Sequence, residues 1–232
     1  MRLVIFSHFF APSIGSVEKQ VHSLARGLAR RKPSGGASNF EVTVITNTPG
    51  RDTDDQGDTF EVVRCPTFFQ LWRLIQRAEV VHLAGPSLLP LLISRLLRKP
   101  TVIEHHGYQS ICPKGLLIHQ PERSLCPGHF QAKRYAKCFR CLASEMSVTR
   151  SLKNILLMFP RYLLSKSVTA NIAITEHVLQ RHRALRDAWA VKGSCSSSFN
   201  YRAKVWNLIY VMCAHAAVRL EANPSPARQG VD

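Results

Sequence analysis

The chain has 232 residues, 45% hydrophobic and 20% charged, which excludes a wholly disordered polypeptide and leaves enough apolar surface for a core without disulfides. Its length predicts one domain of good size, or a domain with an irregular tail. The formal net charge of +16, from 31 Lys+Arg against 15 Asp+Glu, favours polyanions: phosphorylated small molecules, an anionic membrane surface or nucleic acid. Carboxylates gather in Asp52-Thr53-Asp54-Asp55 and nearby Asp58. Beyond Arg123, single Lys and Arg residues alternate with apolar ones, as on an amphipathic face or a solvated surface.

Arg2 to Phe6 is a short apolar run, as expected of a strand buried on both faces. It breaks at Ser7-His8, too early for a signal peptide. After a turn at Pro12 and Gly15, apolar residues Val17, Val21, Leu24, Ala25 and Leu28 mark one face of a helix. Arg26, Arg30, Arg31 and Lys32 gather at its end, where the helix dipole favours cations, and Pro33-Ser34-Gly35-Gly36 stops it. Strands are expected at Val42–Thr46 and Phe60–Arg64, a helix at Phe68–Arg77 and a strand at Val80–Leu83. A Leu-rich helix at Ser87–Arg98 follows, with Pro90 in its first turn, then a strand at Pro100–Glu104. A loop rich in Cys, Pro and Gly follows over 107–141, then helix at Leu152–Leu164, a strand at Ala170–Ile174 and a helix opened by Thr175-Glu176. Strands and helices alternating at this spacing predict an α/β, doubly wound, parallel Rossmann-like sheet. From about Arg186 the signal decays, so residues 187–232 are expected to be an irregular basic tail. The longest uncharged apolar stretch, Val205–Val218, contains Asn207 and His215 and falls short of the roughly 20 residues of a membrane span. A cytoplasmic protein, resting peripherally on a membrane, is the expectation.

Three clusters carry candidate chemistry. Gly15-Ser16, between a strand and a helix, has the form of a phosphate site, in which free N–H groups at the helix start face an anion; a plain turn is the alternative. Glu104-His105-His106-Gly107-Tyr108 lies at the carboxyl end of the fifth strand, the edge where open α/β sheets bind ligands. Neutral imidazole there donates a hydrogen bond to a sugar hydroxyl or carries a proton, or else simply closes the strand; His105 is the weaker candidate. Seven cysteines exclude complete pairing. Cys112, Cys126 and the C-x-x-C pair Cys138 and Cys141 can hold a structural zinc, with His119 or His129 as substitutes; unligated thiols are the alternative.

The segment Phe10 to Glu18 resembles the P-x-x-G-G-x-E loop of family 4 glycosyltransferases, with Ser16 in place of the second glycine. Val21, Leu24, Ala25 and Leu28 match the V-x-x-L-A-x-x-L helix that follows it, and Val42–Thr46 the V-T-V-I-T strand. His106, Tyr108, Cys112 and Pro113 match the family's His, Tyr and C-P spacing. The resemblance covers residues 1–186 and implies the N-terminal, acceptor-side Rossmann-like half of a GT-B architecture. It also implies that Gly15, Ser16, Glu18 and Tyr108 lie near donor phosphates and acceptor, and that His106 touches the sugar. The reaction implied is hexose transfer from a nucleotide-diphospho-sugar to a lipid-linked or polysaccharide acceptor, with retention.

The family's donor-binding half carries glutamates in E-x7-E spacing, and no two of the nine glutamates here are eight positions apart. The chain alone is therefore expected to be inactive. A split enzyme with a separate donor-domain subunit, a truncated or frameshifted product, and a repurposed domain all fit, with truncation favoured by the tail. The rival class is a basic, zinc-stapled nucleic-acid-binding protein, disfavoured because its Lys and Arg residues are scattered rather than grouped with aromatics.

Overall fold

The computed structural model describes residues 1–30, 40–50, 57–120 and 122–182, and the backbone of 189–191. In chain order the elements are β1 (Arg2–Ser7), α1 (Ser16–Arg30), β2 (Glu41–Thr46), β3 (Glu61–Arg64), α2 (Phe68–Arg77), β4 (Val80–Leu83), α3 (Leu88–Leu96) and β5 (Thr101–His105). They are followed by β6 (Ile118–His119), β7 (Ser124–Leu125), α4 (Tyr135–Ala143), α5 (Val148–Lys166), β8 (Ala170–Ala173), α6 (Glu176–His182) and β9 (Trp189–Val191).

Because Leu3 to Phe6 present apolar side chains to both faces, β1 belongs in a sheet interior, and it lies there. The sheet has seven strands in the order β3-β2-β1-β4-β5-β8-β9, all paired in parallel. The chain winds outward from β1 to β3, then crosses back to β4, so the winding direction switches between β1 and β4. One face packs Leu3, Ile5, Val44, Val80 and Val102 against Val21, Leu24, Ala25 and Leu28 of α1. The other packs Val4, Phe6, Val81, Leu83 and Ile103 against Leu71 and Ile75 of α2 and Leu91 and Ile93 of α3. Helices on both faces are the doubly wound arrangement that the strand–helix alternation predicts.

Two polar anchors fix the loops at the carboxyl edge. The Arg64 guanidinium donates to Ala11 O at 2.7 Å and to Thr48 O at 3.2 Å, tying together the segments that leave β1 and β2. Thr67 and Gln70 form a reciprocal capping box that starts α2.

The structure departs from the expected elements in three places. The cysteine loop ends seven residues early: Tyr135–Ala143 is helical, burying Cys138, Cys141 and Leu142 on one side. The helix expected at Leu152–Leu164 runs from Val148 to Lys166, with Pro160 inside it. The backbone of Trp189–Val191 pairs with β8, adding a strand beyond the point where the apolar pattern is readable. Residues 31–36, the acidic stretch 52–55, Val205–Val218 and the rest of the 187–232 segment lie outside the described residues. Among the described residues no helix is long and apolar enough to cross a membrane.

Ile5 is fully buried in the central strand, under α1. Ile5→Ala is expected to lower unfolding stability by about 2–5 kcal/mol, through lost burial and a residual cavity. Urea titration checks this: the midpoint falls with little change in slope.

Candidate functional site

Side chains alternate across a strand, so Glu104 and His106 project from β5 and its end toward the α1 face, while His105 projects the other way. The β4–β5 register sets His82 beside Val102, on the same face as Glu104. Gln20 reaches down from α1 and donates its Nε2 hydrogen to Glu104 Oε1. The other carboxylate oxygen, Oε2, lies 3.5 Å from His82 Nε2 and 3.8 Å from His106 Nε2, at or beyond the limit of a hydrogen bond. The His82 and Glu104 side chains have 0% exposure, and that of His106 has 12%. An isolated carboxylate at that depth would cost several kcal/mol. Two imidazoles and an amide are what make the position tenable, and of the two imidazoles only His106 reaches open space.

That space is a cleft of about 370 Å³ at the carboxyl edge, where the winding switches. Ser7, His8 and Phe9 enter it after β1, Val17 from the first turn of α1, and Ala84 to Ser87 from the β4–α3 turn. His106 and Gln109 follow β5, and Arg161 of α5 completes the wall. Gly85 has φ +115, a conformation closed to residues with a Cβ, which lets the turn run close along the cleft. Burial lowers the Arg161 guanidinium pKa from its ordinary value, and its Nε is buried with no hydrogen-bond partner among the described residues. A partly dehydrated cation of this kind favours an anionic ligand.

The residues singled out in the sequence fall into separate groups. His106 lines the cleft. Val17 does too, whereas Gly15 and Ser16, just before it, are outside the lining. A Cβ on Gly15 would collide with the carboxylate of Glu18, so the glycine makes room for that side chain. Glu18 therefore places its negative charge in the first turn of α1, where the helix dipole favours it and where a phosphate would have to compete. Tyr108 turns away from the cleft and stacks on His182 of α6, with ring centroids 5.9 Å apart. His105 is a core residue: its Nε2 is 2.8 Å from Asn171 Oδ1 and its Nδ1 3.3 Å from Ser110 Oγ. Burial, then the neighbouring His182, takes its pKa from 6.5 down to about 3.

Cys112, Cys126, Cys138 and Cys141 are all buried and line one small cavity with His119 and His129. Burial and the neighbouring thiols push Cys138 from 9.0 up to about 12, and burial raises Cys141 as well. The four thiols thus converge, but among the described residues no group of three or more His, Cys, Asp or Glu side chains is disposed to hold a metal ion. The zinc expectation is not supported: the thiols share a cavity, but they form no ligand set among the described residues.

Gln20, His82 and Arg161 are functional-site residues that the sequence reading passes over. His82 carries a faint signal, a histidine within the apolar strand Val80–Leu83. Gln20 and Arg161 carry none, because each depends on which side of its helix meets the sheet edge.

No protein-family model matches the chain, and no curated protein matches its sequence. Among solved structures it is similar to HepE of Anabaena in complex with UDP, with TM-score 0.48 and 11% identity over 82% of this chain and 43% of that one. It is also similar to a UGT transferase from Siraitia grosvenorii in complex with UDP, with TM-score 0.43 and 12% identity over 85% of this chain and 52% of that one. The chain spans about half the length of these structures.

Two outcomes are expected. Glu104→Ala leaves the His82 imidazole and the Gln20 amide buried without the carboxylate beside them and is expected to destabilise the fold by ~1–3 kcal/mol, the cost of buried polar groups left unsatisfied, whereas His106→Ala, at the cleft surface, costs far less. Urea unfolding of the two variants separates them. His105 and His182 are lowered from 6.5 to about 3 and about 4, chiefly by burial, so the unfolded chain binds their protons first as pH falls. The stability they contribute is present above pH 6.5 and lost as pH falls from 6.5 toward about 4 for His182 and about 3 for His105. The urea midpoint should drop over that window, and less steeply in His182→Gln.

Proposed function

We propose that this chain is the acceptor-side half of a retaining, family 4-like glycosyltransferase of GT-B type. An enzyme of this kind moves a hexose from a nucleotide-diphospho-sugar to a lipid-linked or polysaccharide acceptor. The observation that carries this reading is that His106 and Arg161 share one cleft at the switch point of a parallel sheet. His106, backed by the Glu104 carboxylate, offers a hydrogen bond or a proton site to a sugar hydroxyl. Arg161 offers a cation to a diphosphate. The chain contributes positioning and electrostatic stabilisation of charge on the departing group.

A peripheral place on a membrane is supported by α5. Leu152, Leu156, Phe159 and Leu163 are exposed along one stripe of that helix, and Arg150, Lys153 and Lys166 are exposed on the same helix. An apolar row with basic neighbours suits an anionic bilayer surface and would bring the chain to a lipid-linked acceptor.

The full chain is expected to bind inorganic pyrophosphate. Arg161→Ala and His106→Ala should each weaken binding about tenfold or more, as loss of a charge-assisted contact does. Calorimetric titration reads this directly. Equal affinity of wild type and both variants contradicts the site, and robust sugar transfer by the purified chain alone contradicts its assignment as half an enzyme. Sedimentation with vesicles should show binding to anionic but not zwitterionic lipid, reduced in Leu152→Gln/Leu156→Gln.

A further inference from the structure

A second space opens beside the cleft at the carboxyl edge of the sheet. It is a chamber of about 340 Å³, within the size class of small-molecule sites. His8, Ser87 and Arg161 line both spaces, so these residues stand at the boundary between them. On the cleft side the boundary faces Ser7, His106 and Gln109, groups that hydrogen-bond. On the chamber side it faces Pro66, Phe68, Leu71, Leu88, Leu89 and Pro90, with Asn47 as the polar exception. Local sequence produces this contrast. The Thr67–Gln70 capping box starts α2 so that Phe68 and Leu71 share one side of its first turn, and α3 opens on Leu88-Leu89-Pro90.

The boundary itself is cationic and rich in donors. Arg161 brings the guanidinium whose Nε has no hydrogen-bond partner among the described residues. The Asn47 amide donates to His8 Nδ1 at 3.2 Å, which leaves the proton of the neutral ring on Nε2. A ligand matching all three parts carries a phosphate between a hydroxyl-bearing head and an apolar chain. A phosphorylated sugar without a chain would leave the chamber's apolar wall in water. That wall continues outside the chamber. Leu89, Leu92 and Leu96 are exposed in one row along α3, and α3 packs against α5, which carries the exposed row from Leu152 to Leu163.

We propose that the chamber binds the hydrocarbon chain of a lipid phosphate. The phosphate lies at Arg161 and His8, and the sugar head lies in the cleft toward His106. The inference rests on the sugar-transfer reading for the ligand's role as acceptor, and on the two adjoining spaces for its binding. A guanidinium carries five N–H donors, so holding this phosphate leaves donors for charge on the departing group. Burial of the chain supplies affinity, and the phosphate fixes how deep the ligand sits. That depth decides which sugar hydroxyl meets His106. A chain longer than the chamber continues onto the leucine rows of α3 and α5.

Geranyl diphosphate and inorganic pyrophosphate share a charged head, and only the first carries a chain. In calorimetric titration of the full chain, geranyl diphosphate should bind about tenfold or more tighter, the effect of burying as few as two methylenes. Pyrophosphate should compete with it, and geraniol, which has no phosphate, should bind far more weakly. Phe68→Gln/Leu89→Gln should lose most of the gain; these side chains are 49% and 44% exposed, so the fold tolerates the change. Leu125→Gln, at an exposed leucine lining neither space, should keep it. Should the double variant fail to fold, the wild-type comparison of the three ligands decides the matter. Geranyl diphosphate bound no tighter than pyrophosphate overturns the chain site and leaves the cleft's anion site standing, whereas binding of neither overturns both. An undiminished gain in the double variant overturns the inference. So does UDP showing the same gain and losing it in that variant, which makes the chamber a seat for a base.

Discussion

The Glu104 carboxylate has no exposed surface, and that single constraint organises the centre of the molecule. It binds α1 through Gln20, β4 through His82, and the end of β5 through His106. A buried charge without partners is strongly destabilising, so the three elements must keep their relative positions for the fold to persist. The sheet and α1 are otherwise joined by apolar packing, which tolerates small shifts. The polar cluster does not. It ties the core geometry to the position of the one imidazole of the pair that reaches the cleft.

This coupling gives a physical meaning to the switch point between β1 and β4. Strands that wind away from one another leave a gap at their carboxyl ends, and the turns after β1, β4 and β5 line it. Arg161 enters from α5, the helix that precedes β8, so the wall of the cleft depends on an element far along the chain. The cysteine-lined segment between β5 and α5 lies between those two contributions in sequence.

Much of the fold is legible from residue order. The apolar period of Val21, Leu24, Ala25 and Leu28 names the buried face of α1 without error, and the apolar runs mark six of the seven strands. Local patterns fail where the determining contact is distant. The helix around Cys138 and Cys141 hides in a segment whose Pro, Gly and Cys content reads as loop, and it is fixed by packing on Ile155 and Met158. For the site, strand alternation separates Glu104 and His106 from His105, and the edge position favours His106. The partners of Glu104 are not legible, because Gln20 and His82 meet it only through tertiary placement. Gly15 shows the converse: a glycine before a helix suggests a phosphate seat, yet its missing Cβ accommodates Glu18.

His106 is the imidazole that the fold opens to a ligand in the cleft, whereas His105 and His182 stay in the core. Heteronuclear NMR of the imidazole resonances of the full chain, followed during titration with pyrophosphate, decides whether this holds. Saturable shifts are expected at His106 and at His8, which also lines the cleft, with His105 and His182 unmoved. Unchanged His106 resonances, or shifts of equal size at the core histidines, would contradict it.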